Sequence, residues 1–284
     1  DLDEVPVSLE LRGGVNHLLV KVANEDGIWG VRLRNAGSLD PAALVAQAHA
    51  RGIGTLGITD HDTTAGLADA RRAAEPLGLR IIAGVELNCD LDSGHADILG
   101  YAFDTESPDL QGLLTRIRDA RETRARTMVD KLQSLGADID YAMVESIAGD
   151  GSVGRPHVAQ ALVASGFVDD VGSAFARYIG HHGPAYAERY RLTPAEACEA
   201  VRAAGGVPSL AHPVPPEDSR RDPLGLRGFL PGLVDAGLGA IECRYPGYGS
   251  QTVQWLESLA DHFGLVPTGG SDFHGPWRKG RELG

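Results

Sequence analysis

The chain has 284 residues and a formal net charge of −13, so it is long enough for one large α/β domain or for two smaller domains. This acidic balance argues against duplex nucleic acid or an anionic membrane as a partner, and an anionic substrate would need metal ions or clustered arginines. The separated cysteines Cys89, Cys198 and Cys243 argue against a disulfide framework and a structural zinc site, and they predict a reducing, cytoplasmic compartment. No apolar stretch approaches the roughly 20 residues of a membrane span.

The first part of the chain predicts short antiparallel strands. Apolar and polar residues alternate over 5–11, 18–22 and 29–33, and turn residues rich in glycine separate these three stretches. We therefore predict a β-meander over residues 1–37. It weakly resembles the closing strands of a β-sandwich module, and three strands alone would be marginal, so they must pack on another element.

From residue 38 onward, helical and strand patterns alternate. Asp40 and Pro41 begin a helix, because an acidic N-cap followed by proline is typical of a helix start. Residues 108–203 are mostly helical in pattern and interrupt the alternation as an inserted subdomain. The sequence thus predicts the first part of an α/β barrel over 38–107, the helical insertion over 108–203 and the second part of the barrel over 204–284. The predicted elements outside the insertion are, in order, strand 53–58, helix 65–77, strands 79–85 and 96–101, strand 207–211, helix 225–236, strand 240–243, helix 250–263 and strand 265–268.

Each predicted strand exit carries residues that can bind a metal ion. The carboxyl ends of parallel strands meet at the face where α/β barrels hold their chemistry, so we expect these side chains to converge. Carboxylates and imidazoles without thiolates suit manganese, iron, zinc or magnesium rather than a soft structural zinc site. The residues at these exits are Asp60, His61, Asp62, Glu86, His95, Asp97, His212, Glu242, Asp272 and His274.

Such a donor set predicts phosphate-ester hydrolysis. A carboxylate such as that of Glu86 can bridge two ions. Two ions roughly 3.5–4 Å apart stabilise the attacking and leaving oxygens of an in-line phosphoryl displacement and lower the pKa of bound water.

Six motifs together carry a resemblance to a known family. They are Gly57-Ile58-Thr59-Asp60-His61-Asp62-Thr63, Gly84-Val85-Glu86-Leu87, Ile98-Leu99-Gly100-Tyr101, Gly154-Arg155-Pro156-His157, Leu210-Ala211-His212-Pro213 and Gly269-Gly270-Ser271-Asp272-Phe273-His274-Gly275. In this order over residues 38–284, they resemble the PHP family, named for polymerase and histidinol phosphatase. The helical insertion and the Gly-Arg-Pro-His motif favour its branch of nucleoside 3',5'-bisphosphate phosphatases and 5'-3' exoribonucleases.

The resemblance implies a fold, a metal centre and a substrate. The fold is a distorted (β/α)7 barrel with two to three divalent ions, Mn²⁺ first and Fe²⁺ or Zn²⁺ as alternatives. The substrate is a small phosphorylated nucleotide or a short oligonucleotide. The implied metal ligands are His61, Glu86 as the bridge, Asp97, His157, Asp272 and His274. His212 and Asp272 are the implied catalytic residues, with His212 as general acid or base, and the implied phosphate-binding residues are Arg121, Arg124, Arg155 and His212. Arg121 and Arg124 have a second interpretation as a solvated helix face paired with Glu122.

Two departures from the family pattern leave a second function open. The family's opening Asp-x-His-x-His motif is absent, since residues 31–37 read Val-Arg-Leu-Arg-Asn-Ala-Gly. Asp97 stands where the family has a histidine, although His95 lies two residues upstream on the same side of an extended chain. A non-catalytic PHP-like scaffold that has lost metal ligands is therefore the alternative to an active phosphoesterase. A metal-dependent amide hydrolase or deaminase is disfavoured by the arginines.

Overall fold

A computed structural model describes residues 40–91, 94–148, 153–188, 190, 192–214, 225–273 and 283, together with the backbone of 20–22. Its strands follow one another in a seven-stranded sheet in chain order. The first three strands are mutually parallel, the fourth is antiparallel to both of its neighbours, and the last three are again parallel. The strands are β1 (Val20–Val22), β2 (Thr55–Ile58), β3 (Arg80–Leu91), β4 (Gly94–Tyr101), β5 (Val207–Leu210), β6 (Ala240–Arg244) and β7 (Val266–Gly269).

Nine α-helices lie in the described part of the chain. They are α1 (Pro41–Ala50), α2 (Leu67–Ala74), α3 (Pro108–Ser134), α4 (Tyr141–Ala148), α5 (Arg155–Ala164), α6 (Val171–Ala174), α7 (Pro194–Ala203), α8 (Leu226–Asp235) and α9 (Ser250–Phe263). A 3-10 turn over Glu75–Leu77 extends α2, and a π-helical turn over Phe175–Ile179 follows α6. None of these helices is both long and apolar enough to cross a bilayer.

The N-terminal segment contributes one described strand. Residues 20–22 lie within the predicted meander, but β1 pairs in parallel with β2, in the register Val22 to Ile58. The partner strands that a meander requires fall outside the described residues, as do residues 31–37 and His17. The meander therefore stays a prediction, and β1 takes the position beside β2 at the edge of the barrel sheet.

The hairpin formed by β3 and β4 is longer than the sequence pattern predicts. The predicted strands end at residue 85 and begin again at 96, whereas the ladder continues to the pair of Leu91 and Gly94. The polar residues Asn88 and Asp90 interrupt the apolar pattern, which is why this stretch resembles a loop in the sequence. In the structure, they are paired on a continuous ladder, and their side chains therefore have fixed positions beside β4.

Two hydrophobic cores share the long helix α3. Residues 110–117 of α3 pack with β3 to β6 and with α7 to α9, while residues 125–132 pack with α4, α5 and the turns up to residue 187. Helix α7 lies within the predicted insertion of 108–203, yet Ala197, Cys198 and Val201 belong to the core of the sheet. The predicted domain boundaries stay predictions, and α3 is the element that links the sheet to the second core.

Two of the three cysteines have thiols that stay protonated at neutral pH. All three are free and buried. Burial raises the pKa of the Cys198 thiol to about 12, and burial together with Glu257 raises the pKa of the Cys243 thiol to about 12. Both groups are therefore protonated at neutral pH, and a thiolate is the form that reacts or binds metal.

Gly84 permits a close approach of β3 to β2, and its replacement should be costly. A methyl group there would lie well inside van der Waals contact with the Ile58 carbonyl and 2.5 Å from the Thr59 side chain. We expect Gly84→Ala to lower the free energy of unfolding by about 1–3 kcal/mol, measured by urea denaturation. Gly112→Ala on α3 is the control, because nothing lies near the added methyl, and it should raise stability by about 0.4–1 kcal/mol. Equal effects of the two substitutions would contradict this account.

Candidate metal centre

The exit of β2 is fixed against β3 by backbone hydrogen bonds. The Glu86 amide donates to the carbonyl of Asp60 at 3.0 Å, and the Asp62 amide donates to the carbonyl of Glu86 at 3.0 Å. His61 lies between these bonds, with its Nε2 3.7 Å from Oε2 of Glu86. The local pairing therefore holds the His61 ring beside the Glu86 carboxylate, as expected for two residues of one site.

Three side chains from three neighbouring strands form a compact donor cluster. Glu86 comes from β3, Asp97 from β4 and His212 from the exit of β5, and one ligand atom of each lies within 4.8 Å of the others. Nε2 of His212 is 3.2 Å from Oε1 of Glu86 and 3.5 Å from Oδ2 of Asp97. Glu86 is 1% exposed and Asp97 is 8% exposed. The cluster thus combines two buried carboxylates with one half-buried imidazole.

This cluster fits a divalent cation. Two carboxylates that are buried side by side disfavour each other's ionised forms unless a positive charge lies between them. A set of two carboxylate oxygens and one imidazole nitrogen suits Mn²⁺, Fe²⁺ or Zn²⁺. The sequence resemblance implied Glu86 and Asp97 as ligands but gave His212 an acid or base role. The structure brings all three together, and the geometry around His212 is that of a third ligand as much as that of a proton donor.

Asn88 connects the cluster to its surroundings, and the sequence patterns did not indicate it. Its side-chain amide lies 3.2 Å from Nδ1 of His61 and donates to Oδ1 of Asp97 at 3.0 Å. Its side-chain oxygen accepts from Arg121 at 3.3 Å. Asn88 stands directly opposite Asp97 in the β3–β4 ladder, so this contact follows from the strand register. The signal that could have found it is its spacing two residues after Glu86 on one face of an extended strand.

The backbone at this face adopts strained conformations. Four described non-glycine residues have positive φ, and three of them lie at strand exits of the site: Asp62 at 56°, His212 at 24° and Asp272 at 49°. Such conformations cost about 1–3 kcal/mol each and persist where the surrounding structure determines them. For His212, that constraint comes from Glu242, whose Oε2 accepts the His212 backbone amide at 2.7 Å. Glu242 was predicted at a strand exit and here orients the backbone of His212.

Asp272 is connected to His212 through Tyr245. Its Oδ2 accepts a hydrogen bond from the Tyr245 hydroxyl at 2.7 Å, and the Tyr245 ring meets the His212 ring edge-on at 5.5 Å between centroids. Asp272 is buried. Tyr245 thus connects Asp272 to the cluster, through one hydrogen bond to Asp272 and one ring contact with His212. No pattern in the sequence indicated Tyr245.

Arg118 and Arg121 of α3 contact Asp62 at the exit of β2, whereas Arg126 does not. Arg121 forms an ion pair with the buried carboxylate of Asp62, and Arg118 donates to the carbonyl of Asp62 at 3.1 Å. Arg121 therefore points toward the metal cluster, and Glu122 pairs with Arg126 instead. The interpretation of Arg121 as part of a solvated face paired with Glu122 is wrong, because its guanidinium has two partners at the strand exits.

Three further predicted site residues have their described contacts elsewhere. Arg124 donates to the carbonyl of Ala187 at 2.8 Å, and Arg155 lies 5.6 Å from the Phe175 ring. His157 is buried at the start of α5, where its Nδ1 accepts the Gly154 amide at 3.1 Å and completes a helix cap. The roles predicted for these three residues stay predictions. His274 lies outside the described residues.

Replacing Asn88 should weaken the site without removing a ligand. Residues that orient metal ligands typically contribute 10–100-fold to metal affinity, and Asn88 contacts two candidate ligands at once. We expect Asn88→Ala to lower Mn²⁺ affinity by about 10–100-fold, measured by isothermal titration calorimetry. Gln133→Ala is the control, because it removes a comparable side-chain amide that bonds the Ile139 carbonyl near the far end of α3. An Mn²⁺ affinity equal in the two variants would contradict the orienting role of Asn88.

Known proteins with similar sequences identify the family. A model of the PHP domain matches residues 34–183. A 5'-3' exoribonuclease of Haemophilus influenzae is 34% identical over 242 residues, covering 84% of this chain and 86% of the relative. A 3',5'-nucleoside bisphosphate phosphatase of Chromobacterium violaceum is 32% identical over 254 residues, covering 87% of this chain and 86% of the relative.

Solved structures give the same relationship. A structure described as a putative metal-dependent phosphoesterase of Bifidobacterium adolescentis superposes with a TM-score of 0.75 at 29% identity, covering 93% of this chain and 91% of the other. A structure described as an amidohydrolase of Chromobacterium violaceum, with bound sulfate and no metal, has a TM-score of 0.74 at 28% identity, covering 94% and 90% of the two chains. The predicted fold class and the predicted enzyme class, a metal-dependent phosphoesterase, are confirmed by these comparisons. The chain belongs to the PHP-domain family.

Proposed function

We propose that this protein hydrolyses phosphate esters of nucleotides or short oligoribonucleotides, with Glu86, Asp97 and His212 holding one divalent cation. The observation that carries the proposal is the approach of these three side chains to within 4.8 Å, in a mostly buried setting. Mn²⁺ is the ion we propose, with Fe²⁺ and Zn²⁺ as alternatives that suit the same donors. When bound, the ion supplies a Lewis acid for the phosphoryl oxygens and lowers the pKa of a bound water.

The residues around the cluster provide the other requirements of the reaction. His61 lies 3.7 Å from Glu86, so it adds a second imidazole on the β2 side of the shared carboxylate. Asp272 adds a third buried carboxylate on the β7 side. We propose that His61 and Asp272 extend the site toward a second ion, in accord with the ligand set that the family resemblance implies.

Arg121 is the residue we propose for the substrate phosphate. Its guanidinium lies at the strand exits through Asp62 and Asn88, and a guanidinium offers five N–H donors, so these two partners do not exhaust it. Planar pairs of such donors match phosphate oxygens. The substrate class follows from the relatives, which are named for a nucleoside bisphosphate and for RNA.

A phosphate-release assay tests this function. The protein, loaded with Mn²⁺, is given a nucleoside 3',5'-bisphosphate and a 5'-phosphorylated oligoribonucleotide, and release of phosphate and of mononucleotides is measured. We expect turnover of at least one substrate, abolished by a chelator and restored by Mn²⁺. A second candidate function, a non-catalytic scaffold, is favoured by the absence of the family's first histidine motif from residues 31–37. Tight Mn²⁺ binding without turnover of either substrate would support the scaffold and contradict the proposed activity.

A further inference from the structure

A cleft lies along α3, between this helix and the residues Ala187, Glu188 and Tyr190. It has a volume of about 510 Å³ and is largely open to solvent. Of its described lining residues, Arg124 alone was given a role from the sequence. Its lining residues are Ala120, Thr123, Arg124, Thr127, Lys131, Ala187, Glu188 and Tyr190.

The cleft lies on a neighbouring face of α3, further along the helix than the part that contacts the strand exits. Arg121 contacts Asp62 and Asn88 at these exits, and Arg124 and Lys131 line the cleft further along the same helix. A helix rises about 1.5 Å per residue, so Lys131 lies roughly 15 Å from Arg121 along the axis. A ligand that reached both ends of this path would have to be an extended chain.

The side chains in the cleft suit single-stranded nucleic acid. Arg124 lies 5.5 Å from the Tyr186 ring and donates to the Ala187 carbonyl, while Lys131 donates to the Tyr186 carbonyl at 2.5 Å. These bonds hold both cations at the cleft wall, and the Tyr186 carbonyl takes one of the three donors of the Lys131 ammonium group. Tyr190, which also lines the cleft, is 41% exposed. Cations that follow a phosphate backbone, beside an exposed aromatic ring for base stacking, are the common pattern of single-strand binding.

The location of these cations within an acidic protein strengthens the argument. The chain as a whole carries a formal charge of −13, so its surface as a whole does not attract polyanions. Among the described residues, the cleft lining has two basic side chains, Arg124 and Lys131, and one acidic side chain, Glu188. The pair of cations at the cleft is therefore a local departure from the overall charge of the molecule.

We propose that this cleft binds the nucleotides on the 3' side of the scissile linkage in a single-stranded oligoribonucleotide. The inference rests on the proposed function, because it assumes that the metal cluster is where the phosphate ester is cleaved. Lys131 binds a backbone phosphate and Tyr190 stacks on a base. A nucleoside bisphosphate occupies the metal cluster without reaching Lys131, so the cleft affects long substrates and not short ones.

The test compares two substrates in two variants of the Mn²⁺-loaded protein. For the double variant Lys131→Ala with Tyr190→Ala, we expect kcat/KM to fall about tenfold for a 5'-phosphorylated single-stranded oligoribonucleotide of a few nucleotides. For a nucleoside 3',5'-bisphosphate, we expect kcat/KM to stay unchanged within experimental error. Arg126→Ala is the control, since Arg126 is an exposed cation of α3 that pairs with Glu122 instead of lining the cleft. An equal loss on both substrates, or an equal loss in the control, would overturn the proposal.

Binding without turnover separates this proposal from the proposed function. Fluorescence anisotropy of a labelled oligoribonucleotide is measured on chelator-treated protein, over a range of salt concentrations. We expect Lys131→Ala to weaken binding and to reduce the slope of log affinity against log salt by about 0.7, the value for one single-strand phosphate contact. If the protein has no phosphatase activity but Lys131→Ala still weakens oligoribonucleotide binding, the binding role of the cleft is supported and the proposed function is contradicted. If affinity and salt slope are both unchanged, the cleft does not bind the oligonucleotide.

Discussion

Replacing Glu86 with glutamine is expected to reduce Mn²⁺-dependent phosphate release by about a thousandfold, which corresponds to ~4 kcal/mol of transition-state stabilisation. Glu86 is 1% exposed, and its two oxygens lie near different imidazoles, His212 on one side and His61 on the other. The amide keeps the shape of the side chain but removes the negative charge that attracts cations from both sides. The rate is measured at fixed Mn²⁺ concentration with the better of the two nucleotide substrates.

Glu145→Gln is the matched control for this experiment. Glu145 is an exposed glutamate on α4, a helix whose other face packs in the second hydrophobic core, away from the strand exits. Its replacement should therefore leave the rate unchanged. Circular dichroism and thermal unfolding of both variants show whether the fold is retained. A folded Glu86→Gln protein with a rate within a few fold of the wild type would contradict the role of Glu86 as a shared ligand.

Replacing His212 with asparagine distinguishes a ligand from an acid or base. Asparagine tolerates positive φ better than most residues, so it can adopt the backbone angle of 24° that His212 has in the structure. If His212 is the third ligand, the asparagine variant should have an Mn²⁺ affinity lower by at least about tenfold, and added Mn²⁺ should restore part of the rate. Rate is therefore measured as a function of Mn²⁺ concentration.

The family resemblance implies a different outcome for the same variant. A general acid or base typically contributes 10²–10⁴-fold to the rate, and its loss changes the pH profile without changing metal affinity. We expect the ligand result, because Nε2 of His212 lies 3.2 Å and 3.5 Å from the two carboxylates. Unchanged Mn²⁺ affinity with a rate that stays low at saturating Mn²⁺ would instead assign His212 to proton transfer.

Much of the barrel could be predicted because local signals agree with the final packing. Helix α9 has the predicted bounds of 250–263, since an amphipathic pattern ends at Gly264, which has the left-handed φ of 66° that a helix end often requires. The β3–β4 hairpin was predicted too short, because the polar residues Asn88 and Asp90 look like loop residues in the sequence. Nothing near them in the sequence shows that they pair with another strand. Cross-strand pairing, as between Asn88 and Asp97, depends on register, which a single sequence does not reveal.

The residues of the candidate site also separate into those that the sequence indicated and those that only the structure revealed. Glu86, Asp97 and His212 were visible because each lies at or beside the boundary of a predicted strand and has the chemistry of a ligand. The structure places Glu86 and Asp97 inside the longer strands β3 and β4. Tyr245 and Asn88 were missed because their importance lies in what they contact, not in residue type. The ion pair of Arg121 with Asp62 joins residues 59 positions apart, and only the packing of α3 over the strand exits could establish it.

The absent first motif makes metal binding the central question. In the family, the strand before the first helix carries ligands, whereas residues 31–37 contain no histidine or carboxylate, and neither does β1 at the edge beside β2. The described cluster must therefore hold its ion with residues from β2 onward. A bound ion is therefore a requirement of the proposed phosphoesterase activity, which the phosphate-release assay then tests.

The most direct measurement is the Mn²⁺ content of the purified protein by elemental analysis, after growth with added manganese and removal of loosely bound ions. We predict at least one tightly bound ion per chain in the wild type, and loss of that ion when Glu86 and Asp97 are replaced together by glutamine and asparagine. A wild-type protein that retains no ion, or a double variant that retains as much Mn²⁺ as the wild type, would contradict a metal centre at Glu86, Asp97 and His212.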